Sequence, residues 1–314
     1  MGACIINNEE QNFDATKKIY CFNTILAHKG KVVSLIELHS CKIATGSTDQ
    51  TIKIWNLNTF ECEKTINEGG TVLCLLEFEK NILLSGTDKN KIHLWNIDNP
   101  GNCYIHKYQG HSLWVNCLIK CDNNFFASGS NDSDIRIWNY KNLNCEQVLK
   151  GHTNCVLSLI KLNDEKLCSG SADLTIKIWK WKENLCEATL CENNDWIKCL
   201  YLLKNGIFLS GCNDGTIKIW KNEENIGNLN GHKNAVRDFC KINDNYFASA
   251  SFDGTIKIWD LTTKKCINTL NGHKSNVIGI IYYSPKFLVS CSSDQTIKFW
   301  KNKSDERSSR VEKF

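Results

Sequence analysis

Proline is almost missing from this chain: among its 314 residues only Pro100 and Pro285 are prolines. Because proline cannot donate a backbone hydrogen bond within a sheet, this scarcity leaves nearly the whole chain open to strand formation. No apolar run approaches the roughly eighteen residues that span a bilayer, and residues 1–20 lack the apolar centre of a signal peptide. We therefore expect an intracellular protein of the cytoplasm, the nucleus or both, without a transmembrane segment.

An excess of one charge is lacking as well, since 38 basic and 34 acidic residues leave a formal net charge of only +4. A dedicated nucleic-acid binder usually has a stronger or more clustered basic excess, so nucleic acid is not the expected partner. None of the 18 cysteines belongs to a C-x-x-C pair, and a chain of this length needs no disulfide staples. The sequence thus predicts free thiols in a reducing compartment, with neither a metal site nor a cofactor.

What the chain does contain is a repeat of about forty residues. Successive members of one tryptophan series are 39 to 43 residues apart, and each ends a phrase such as SADLTIKIW or SFDGTIKIW. An aspartate beside glycine or a polar residue favours a tight turn, and the alternation in TIKIW is typical of a strand. Two short apolar strands precede each phrase and one follows it, which fills the period with four strands. The series is Trp55, Trp95, Trp138, Trp179, Trp220, Trp259 and Trp300.

Histidines mark the same repeat. Four Gly-His pairs and the variant Ala27-His28 each lie 21 residues before an aspartate and 27 before a tryptophan. This pattern resembles the WD-repeat family, whose period is about 40–45 residues with a Gly-His…Trp-Asp signature. The resemblance extends from about residue 17 to 300, although the literal dipeptide occurs only at Trp259-Asp260. It implies an all-β, seven-bladed β-propeller with four antiparallel strands in each blade.

The two ends of the chain predict how the ring closes. After Trp300 the chain is charged and offers no fourth strand, whereas residues 17–26 resemble a fourth strand without a blade before it. We expect residues 17–26 to complete the blade of Trp300, because an open propeller would expose unpaired strand edges. The predicted organisation is a flexible segment at 1–16, the propeller at 17–300 and a charged, flexible tail at 301–314.

Five repeats contain a histidine, a serine or threonine, an aspartate and the tryptophan at fixed spacing. In the family these residues form a buried hydrogen-bond relay, which satisfies the polar atoms of the indole and the imidazole. Because an active site is needed only once, five copies favour architecture over catalysis, and we predict no catalytic residue. The sets are His28, Thr45, Asp49 and Trp55; His111, Ser128, Asp132 and Trp138; His152, Ser169, Asp173 and Trp179; His232, Ser249, Asp253 and Trp259; and His273, Ser290, Asp294 and Trp300.

Two repeats depart from this pattern. In that of Trp95, Glu68 replaces the histidine and the turn aspartate is displaced by one position, to Asp88; in that of Trp220, Asn193 replaces the histidine. We expect these blades to be less rigid, either by mere tolerance or as surfaces adapted to a partner, and tolerance is favoured. The other histidines, His39, His93 and His106, share no spacing with a plausible partner.

The resemblance also implies a flat face built from three positions in each blade: three and five residues beyond the histidine, and the residue before the aspartate. Aromatic and arginine side chains at these positions favour a partner-binding patch, because such residues dominate protein interfaces. The alternative is that each ring folds back onto its own loop. The predicted patch comprises Trp114, Trp196, Arg237, Phe252, Lys31, Lys198, Asn116, Asn131, Asp88 and Asn276.

A basic residue or histidine also occurs two positions before each tryptophan. It either forms a belt that attracts RNA or an acidic protein, or covers the solvated half of a strand with its aliphatic stem, and the second interpretation is favoured. The series is Lys53, His93, Arg136, Lys177, Lys218, Lys257 and Lys298.

Together these features predict a non-catalytic scaffold, monomeric until bound, that recruits peptides or domains within a multiprotein complex. A substrate-recognition subunit of a ubiquitin ligase and a ribosome- or RNA-associated scaffold remain alternatives. For the first, the chain lacks a helical F-box extension, and Leu261 and Thr262 follow the Trp-Asp without a basic residue. Gly2 and Cys4 resemble an acylation site, but Ile6 interrupts the myristoylation pattern.

Overall fold

The computed structural model describes residues 13–101, 103–204, 206–283 and 285–303. Within these ranges the regular structure consists entirely of β-strands, arranged in seven sheets of four antiparallel strands. The described residues contain no helix that would cross a membrane. The predicted all-β fold with seven four-stranded blades is thus confirmed.

Each blade is one sheet. In the description of each blade below, the strand nearest the central axis is given first. The chain begins with β1 (Ile19–Leu26), which belongs to the last blade. Blade 1 contains β2 (Val32–Leu38), β3 (Lys42–Ser47), β4 (Thr51–Asn56) and β5 (Cys62–Asn67), and blade 2 contains β6 (Val72–Glu79), β7 (Ile82–Thr87), β8 (Lys91–Asn96) and β9 (Tyr104–Gln109). Blade 3 contains β10 (Val115–Lys120), β11 (Phe125–Ser130), β12 (Ile135–Asn139) and β13 (Cys145–Leu149).

The same order continues around the ring. Blade 4 contains β14 (Val156–Lys161), β15 (Lys166–Ser171), β16 (Ile176–Lys180) and β17 (Leu185–Leu190), and blade 5 contains β18 (Ile197–Lys204), β19 (Ile207–Cys212), β20 (Ile217–Lys221) and β21 (Glu224–Leu229). Blade 6 contains β22 (Val236–Lys241), β23 (Tyr246–Ser251), β24 (Ile256–Asp260) and β25 (Lys265–Leu270), and blade 7 contains β26 (Val277–Tyr283), β27 (Phe287–Ser292), β28 (Thr296–Asn302) and β1. Each first strand lies beside the first strand of the next blade, and β26 lies beside β2, which closes the ring.

The N-terminal strand closes the last blade, as the sequence predicted. β1 pairs antiparallel with β28, and Cys21 lies opposite Trp300. Just upstream, the backbone N–H of Phe13 donates to the carbonyl of Pro285 at 2.8 Å, and the Asn302 amide bonds both the N–H and the carbonyl of Asp14 at 2.7 Å. Two distant parts of the chain are therefore joined through a continuous ladder and its flanking contacts.

The described structure begins and ends within the two predicted flexible segments. Phe13 and Ala15 are buried, and the Phe13 ring contacts Tyr282, so these residues pack on blade 7 although they precede residue 17. At the other end, β28 continues to Asn302. The remaining residues, 1–12 and 304–314, lie outside the described residues, as do Gly2 and Cys4, and the flexibility of both segments stays a prediction.

The apolar core lies between neighbouring blades. Trp95 of blade 2, for example, packs with Ile52 and Ile54 of blade 1, and Trp300 packs with Ile256 and Ile258 of blade 6 in the same way. The second strands approach the next blade so closely that a side chain has no room: a Cβ added at Gly46 would lie 2.4 Å from Val72 Cγ1. Burial between sheets, which releases about 25 cal/mol per Å² of apolar surface, therefore holds the ring together.

Candidate functional site

The predicted histidine, hydroxyl, aspartate and tryptophan sets form the same chain of hydrogen bonds in five blades. In blade 3, Trp138 Nε1 donates to Ser128 Oγ at 2.7 Å, Ser128 Oγ lies 2.7 Å from His111 Nε2, and His111 Nδ1 lies 2.8 Å from Asp132 Oδ2. Since the hydroxyl accepts from the indole, it donates its own proton to Nε2, which leaves Nδ1–H to donate to the carboxylate. Blades 1, 4, 6 and 7 repeat this arrangement with hydrogen bonds of 2.6–3.0 Å.

The aspartates of these relays are held as anions. Burial alone would raise the pKa of Asp132, but the hydrogen bond from His111 and those from two backbone N–H groups outweigh burial and lower it to about 2. Asp49 behaves alike with a pKa of about 2, and the pKa values of the other three aspartates fall well below the usual range. The hydroxyls of these relays, from four serines and Thr45, are fully buried, and each satisfies the polar atoms of the indole and the imidazole in its own blade.

Blade 2 replaces the missing histidine with a pair that the sequence spacing did not reveal. The buried carboxylate of Glu68 accepts from Ser85 Oγ at 3.0 Å and lies 2.6 Å from His93 Nδ1, while Trp95 Nε1 donates to Ser85 Oγ at 2.8 Å. His93 therefore has a partner, contrary to the expectation from spacing. The signal in the sequence was that both departures, a glutamate and a histidine, fall in one repeat.

Blade 5 keeps only the end of the relay. Trp220 Nε1 still donates to Ser210 Oγ at 2.8 Å, but Asn193 Nδ2 is buried and has no hydrogen-bond partner. An unpaired buried amide donor costs free energy, typically about 1–3 kcal/mol. The predicted lower rigidity of blades 2 and 5 stays a prediction, although blade 5 now has a physical reason for it.

The basic residues two positions before each tryptophan are engaged within the propeller. Lys53 Nζ donates to the carbonyl of Ala27 at 2.8 Å, and Lys177 donates to Thr189 Oγ1 at 2.9 Å. The remaining members of the series contact a hydroxyl, a carbonyl, a carboxylate or a thiol in the same way. Because these contacts are internal, the series serves the packing of the strands.

The flat face is built by one backbone contact repeated in every blade. The residue before the turn aspartate donates its N–H to the carbonyl of the residue three beyond the relay histidine, at 2.9–3.2 Å. Two of the three predicted face positions of each blade are thereby neighbours. The donor–acceptor pairs are Thr48–Lys31, Asp88–Thr71, Asn131–Trp114, Ala172–Cys155, Asn213–Trp196, Phe252–Ala235 and Ser293–Asn276.

This register corrects the interpretation of Asp88. The residue occupies the position of Thr48 in blade 1, and its Oδ1 accepts from the N–H of Thr71 at 2.9 Å, as Thr48 Oγ1 accepts from Lys31. Lys89 therefore stands in the place of the turn aspartate. Asp88 is a member of the face, but it is not a displaced relay residue.

The aromatic residues of the face differ in exposure. Trp114 and Trp196 are 49% and 45% exposed, and the neighbouring Leu113 is 48% exposed. Phe252 differs from them: it is half-buried against the apolar cluster between blades 7 and 1, and the Arg237 guanidinium lies 5.6 Å from its ring centre. The two tryptophans are thus the aromatic groups of the face that remain open to a partner.

At the centre of the face the first strands leave a cavity of about 230 Å³, which we call the axial mouth. One side chain from each blade, five residues beyond the relay position, lines it: Val33, Leu73, Asn116, Leu157, Lys198, Arg237 and Ile278. Asn116 is fixed in place, because its Nδ2 donates to Asn131 Oδ1 and to the carbonyl of Val156 at 2.8 Å. This ring of side chains therefore combines four aliphatic groups with one fixed amide and two cations on the adjacent blades 5 and 6, while Asp238, Ser34 and Ser158 also line the axial mouth.

Asp238, which sequence reasoning missed, also lines this cavity and joins blade 6 to blade 7. Its Oδ2 accepts from the N–H of Ile280 at 2.9 Å, the role that Ser158 plays for Leu200 at the equivalent position of blade 4. Burial raises the pKa of Asp238 to about 7, although two backbone N–H donors and Arg237 oppose the rise. The available signal was an acid within the apolar inner strand VRDFC.

Replacing Asp238 by serine is expected to change how stability depends on pH. Between the ordinary aspartate pKa of 3.8 and about 7, the folded protein keeps a proton that the unfolded chain has lost, so the free energy of unfolding falls as pH rises. Asp238→Ser removes this component and keeps an acceptor for Ile280. The wild type should lose on the order of 2 kcal/mol relative to the variant between pH 4 and 8, since residual exposure screens part of the shift.

Urea unfolding of both proteins across this pH range measures the difference. The other ionisable groups near Asp238 are Arg237, the phenol of Tyr201 and the thiols of Cys199, Cys240 and Cys291. Burial raises the pKa values of the phenol and the three thiols, and all of these groups are common to both proteins. Parallel curves for the two proteins would contradict the prediction.

The cysteines of the described residues are all free thiols. Several lie opposite a relay tryptophan in the outer strands, such as Cys145 opposite Trp138 and Cys266 opposite Trp259. Within the described ranges no three histidine, cysteine or acidic side chains converge as a metal site would require. The positions of the cysteines agree with a role in packing.

Comparison with known proteins agrees with this architecture. The family model "WD domain, G-beta repeat" matches residues 19–56, 102–139, 143–180, 184–221, 223–260 and 264–301. The unmatched stretch contains Glu68 and Trp95, in the repeat where the histidine and the turn aspartate are both replaced. Each matched segment begins with the outer strand of one blade and ends with the third strand of the next, so the sequence repeat and the structural blade are offset by one strand.

A curated relative shares part of this sequence. An uncharacterized WD repeat-containing protein of Schizosaccharomyces pombe is 40% identical over 72 residues, which are 22% of this chain and 20% of the yeast protein. The match thus spans about a fifth of that relative's length. With six matching repeats over well over half of its length and seven four-stranded blades, the chain belongs to the WD-repeat family of β-propellers.

Proposed function

We propose that this protein is a non-catalytic scaffold that binds peptides or domains of other proteins on its flat face within a multiprotein complex. The observation that supports this function best is the near-half exposure of Trp114 and Trp196 on one face of a rigid ring. Burying an exposed indole against a partner releases apolar surface from water, and tryptophan is enriched among the residues that dominate interfaces. The proposal includes a monomer in the cytoplasm or nucleus before assembly.

The relay geometry supports a non-catalytic role. A serine, histidine and aspartate chain resembles hydrolytic machinery, but a nucleophile must reach its substrate. Here each hydroxyl is buried behind the indole that it accepts from, as for Ser128 and Trp138. The lysines that precede the tryptophans donate to internal groups, which gives the RNA-associated alternative less support than protein binding. A ubiquitin-ligase substrate receptor would use the same face and stays an alternative within the proposal.

Removing both exposed indoles is expected to abolish partner capture. Trp114→Ala with Trp196→Ala should lower the recovery of copurifying proteins at least about tenfold, because each interface hot spot contributes about 2 kcal/mol. Affinity purification with quantitative mass spectrometry measures this recovery. The thermal unfolding midpoint should stay within about 2 °C of the wild type, because substitutions at exposed positions rarely change stability.

The matched control removes two exposed apolar side chains from the outer strands. Leu185 and Ile267 are 48% and 39% exposed, and their double alanine variant should capture partners like the wild type. Undiminished capture by the double tryptophan variant, or a fall in its unfolding midpoint that matches its loss of capture, would show that the indoles only pack locally.

A further inference from the structure

The axial mouth holds two cations that have no ion-pair partner among the described residues. Lys198 and Arg237 lie on the adjacent inner strands β18 and β22, and neither forms a salt bridge or a side-chain hydrogen bond with the described residues. Arg237 Nε is buried and has no hydrogen-bond partner. A buried guanidinium donor without an acceptor is costly in a finished structure, so a ligand that supplies an acceptor is favoured here.

The acids nearest to these cations are already engaged. Asp195 accepts from the N–H of Trp196 at 2.7 Å and from Asn213 Nδ2 at 3.0 Å. Asp238 accepts from the backbone of Phe239 and of Ile280, at 2.8 and 2.9 Å. Both carboxyl groups therefore have hydrogen-bond partners within the blades, and although each lies near one of the cations, neither forms a hydrogen bond or an ion pair with Lys198 or Arg237.

Aromatic rings hold the two cations in place. Lys198 Nζ lies 4.3 Å from the centre of the exposed Trp196 ring, and the Arg237 guanidinium lies 5.6 Å from that of Phe252. Burial and the charge of Arg237 lower the pKa of Lys198 to about 8. The two like charges thus disfavour each other, and an anion between them relieves both the repulsion and the loss of hydration.

We propose that the axial mouth binds an acidic, extended segment of a partner protein by placing one aspartate or glutamate carboxylate between Lys198 and Arg237. The apolar neighbours of that acid then contact the aliphatic lining and the exposed ring of Trp196. This inference rests on the proposed scaffold function and specifies the chemistry of its partner.

A carboxylate fits the donors better than a phosphate does. The two cations offer one donor group to each of two oxygens, whereas the Asn116 amide already donates both of its protons within the propeller. The rest of the lining combines the aliphatic Val33, Leu73, Leu157 and Ile278 with polar residues of the same inner strands, namely Ser34, Ser158 and Asp238. A phosphate would bring more negative charge close to Asp238 than a single carboxylate does, and like charges at one site disfavour each other.

Selection from a random twelve-residue peptide library, displayed on phage, tests the proposal with the full chain immobilised. Peptides that bind the wild type should be enriched in aspartate or glutamate beside an apolar residue. The best synthetic peptide should lose at least about tenfold in affinity against Lys198→Ala and against Arg237→Ala, the range expected for charge-assisted hydrogen bonds. Changing the aspartate or glutamate of this peptide to asparagine or glutamine should lower its affinity for the wild type by a similar factor.

A double variant serves as the control for lost charge. Lys141 and Lys265 are exposed and lie away from the face, so their double alanine variant should bind the peptide like the wild type. Raising the pH from 7 to 9.5 should weaken binding to the wild type several-fold as Lys198 loses its proton, but not to Lys198→Arg. Arg237, Asp195 and Cys155 are the other ionisable groups facing Lys198, and both proteins retain them.

The outcomes separate this inference from the scaffold function. Peptides that depend on Trp114 and Trp196 but contain no acid would overturn the acidic-partner proposal and leave the scaffold function standing. Selection of no peptide at the face would count against both. Binding that tightens more than about tenfold when phosphoserine replaces the acid would assign the mouth to a phosphate and overturn the carboxylate proposal.

Discussion

Deletion of residues 1–26 is expected to leave a protein that is insoluble or rapidly degraded by protease. The deletion removes β1 and its ladder with β28, from Ile19 opposite Asn302 to Leu26 opposite Thr296. It also removes buried Phe13 and Ile19, and Phe22, whose ring contacts Phe60, Phe287 and Phe299. Each such side chain contributes about 1.5–3 kcal/mol when buried, so their combined loss approaches the whole stability of a domain.

The reason for so large an effect is topological. β1 joins the start of the chain to its last strand, β28. Without β1, β28 becomes an exposed sheet edge beside the buried Trp300. Unpaired edges promote aggregation. Soluble yield, thermal unfolding and limited proteolysis measure the outcome.

A shorter deletion provides the control. Removing residues 1–12 keeps Phe13, Asp14 and all of β1, with their contacts to Pro285 and Asn302, and should leave the unfolding midpoint within about 2 °C of the full chain. A protein without residues 1–26 that stays soluble and unfolds cooperatively near the wild-type midpoint would refute the closure argument. Restoration of solubility by a synthetic peptide of residues 13–26 would support it.

Loss of a relay hydroxyl is expected to destabilise blade 6 more than blade 5. Ser249 Oγ accepts from Trp259 Nε1 and bonds His232 Nε2, both at 2.7 Å, whereas Ser210 Oγ bonds only Trp220 Nε1. Ser249→Ala therefore leaves two buried polar atoms unpaired and frees the histidine from one side. Ser210→Ala leaves one unpaired. At about 1–3 kcal/mol for each unsatisfied group, we expect losses of roughly 2–6 kcal/mol for Ser249→Ala and roughly 1–3 kcal/mol for Ser210→Ala.

The comparison isolates the histidine relay, because both serines are fully buried and each lies in the second strand of its blade. The change in side-chain volume is the same in the two variants. Urea unfolding at pH 7 measures the two losses, and equal losses would mean that the indole contact alone accounts for the effect of the hydroxyl.

Much of the fold could be predicted because its signals are periodic. Seven tryptophans at a nearly constant spacing and five histidine–aspartate spacings each report a local unit, and every unit folds in the same way. The excess strand at residues 17–26 and the missing strand after Trp300 were likewise visible as a mismatch between the ends. Such patterns determine an architecture without any knowledge of side-chain contacts.

The site was less predictable, because it depends on residues from different repeats. Phe252 was expected on the exposed face, but it lies half-buried below Arg237, since the neighbouring blade offers an apolar surface. Asp88 holds the same face position as Thr48, because the spacing of blade 2 is unchanged and Lys89 simply replaces the turn aspartate. Glu68 contacts His93, which lies on strand β8 of the same blade, and the spacing of the family repeat does not describe this contact.

The sequence by itself determined the number of blades, the strands in each, the closure by the N-terminal segment and the composition of the relays, because each follows from local pattern or from the repeat. Only the tertiary structure decided which charges remain without a partner. Lys198, Arg237 and Asp238 look alike as polar residues in inner strands, and all three line the axial mouth, yet Asp238 accepts a hydrogen bond from the next blade while the two cations have no ion-pair partner among the described residues. That distinction depends on the approach of neighbouring blades around the axis, a long-range geometry that the repeat pattern does not encode.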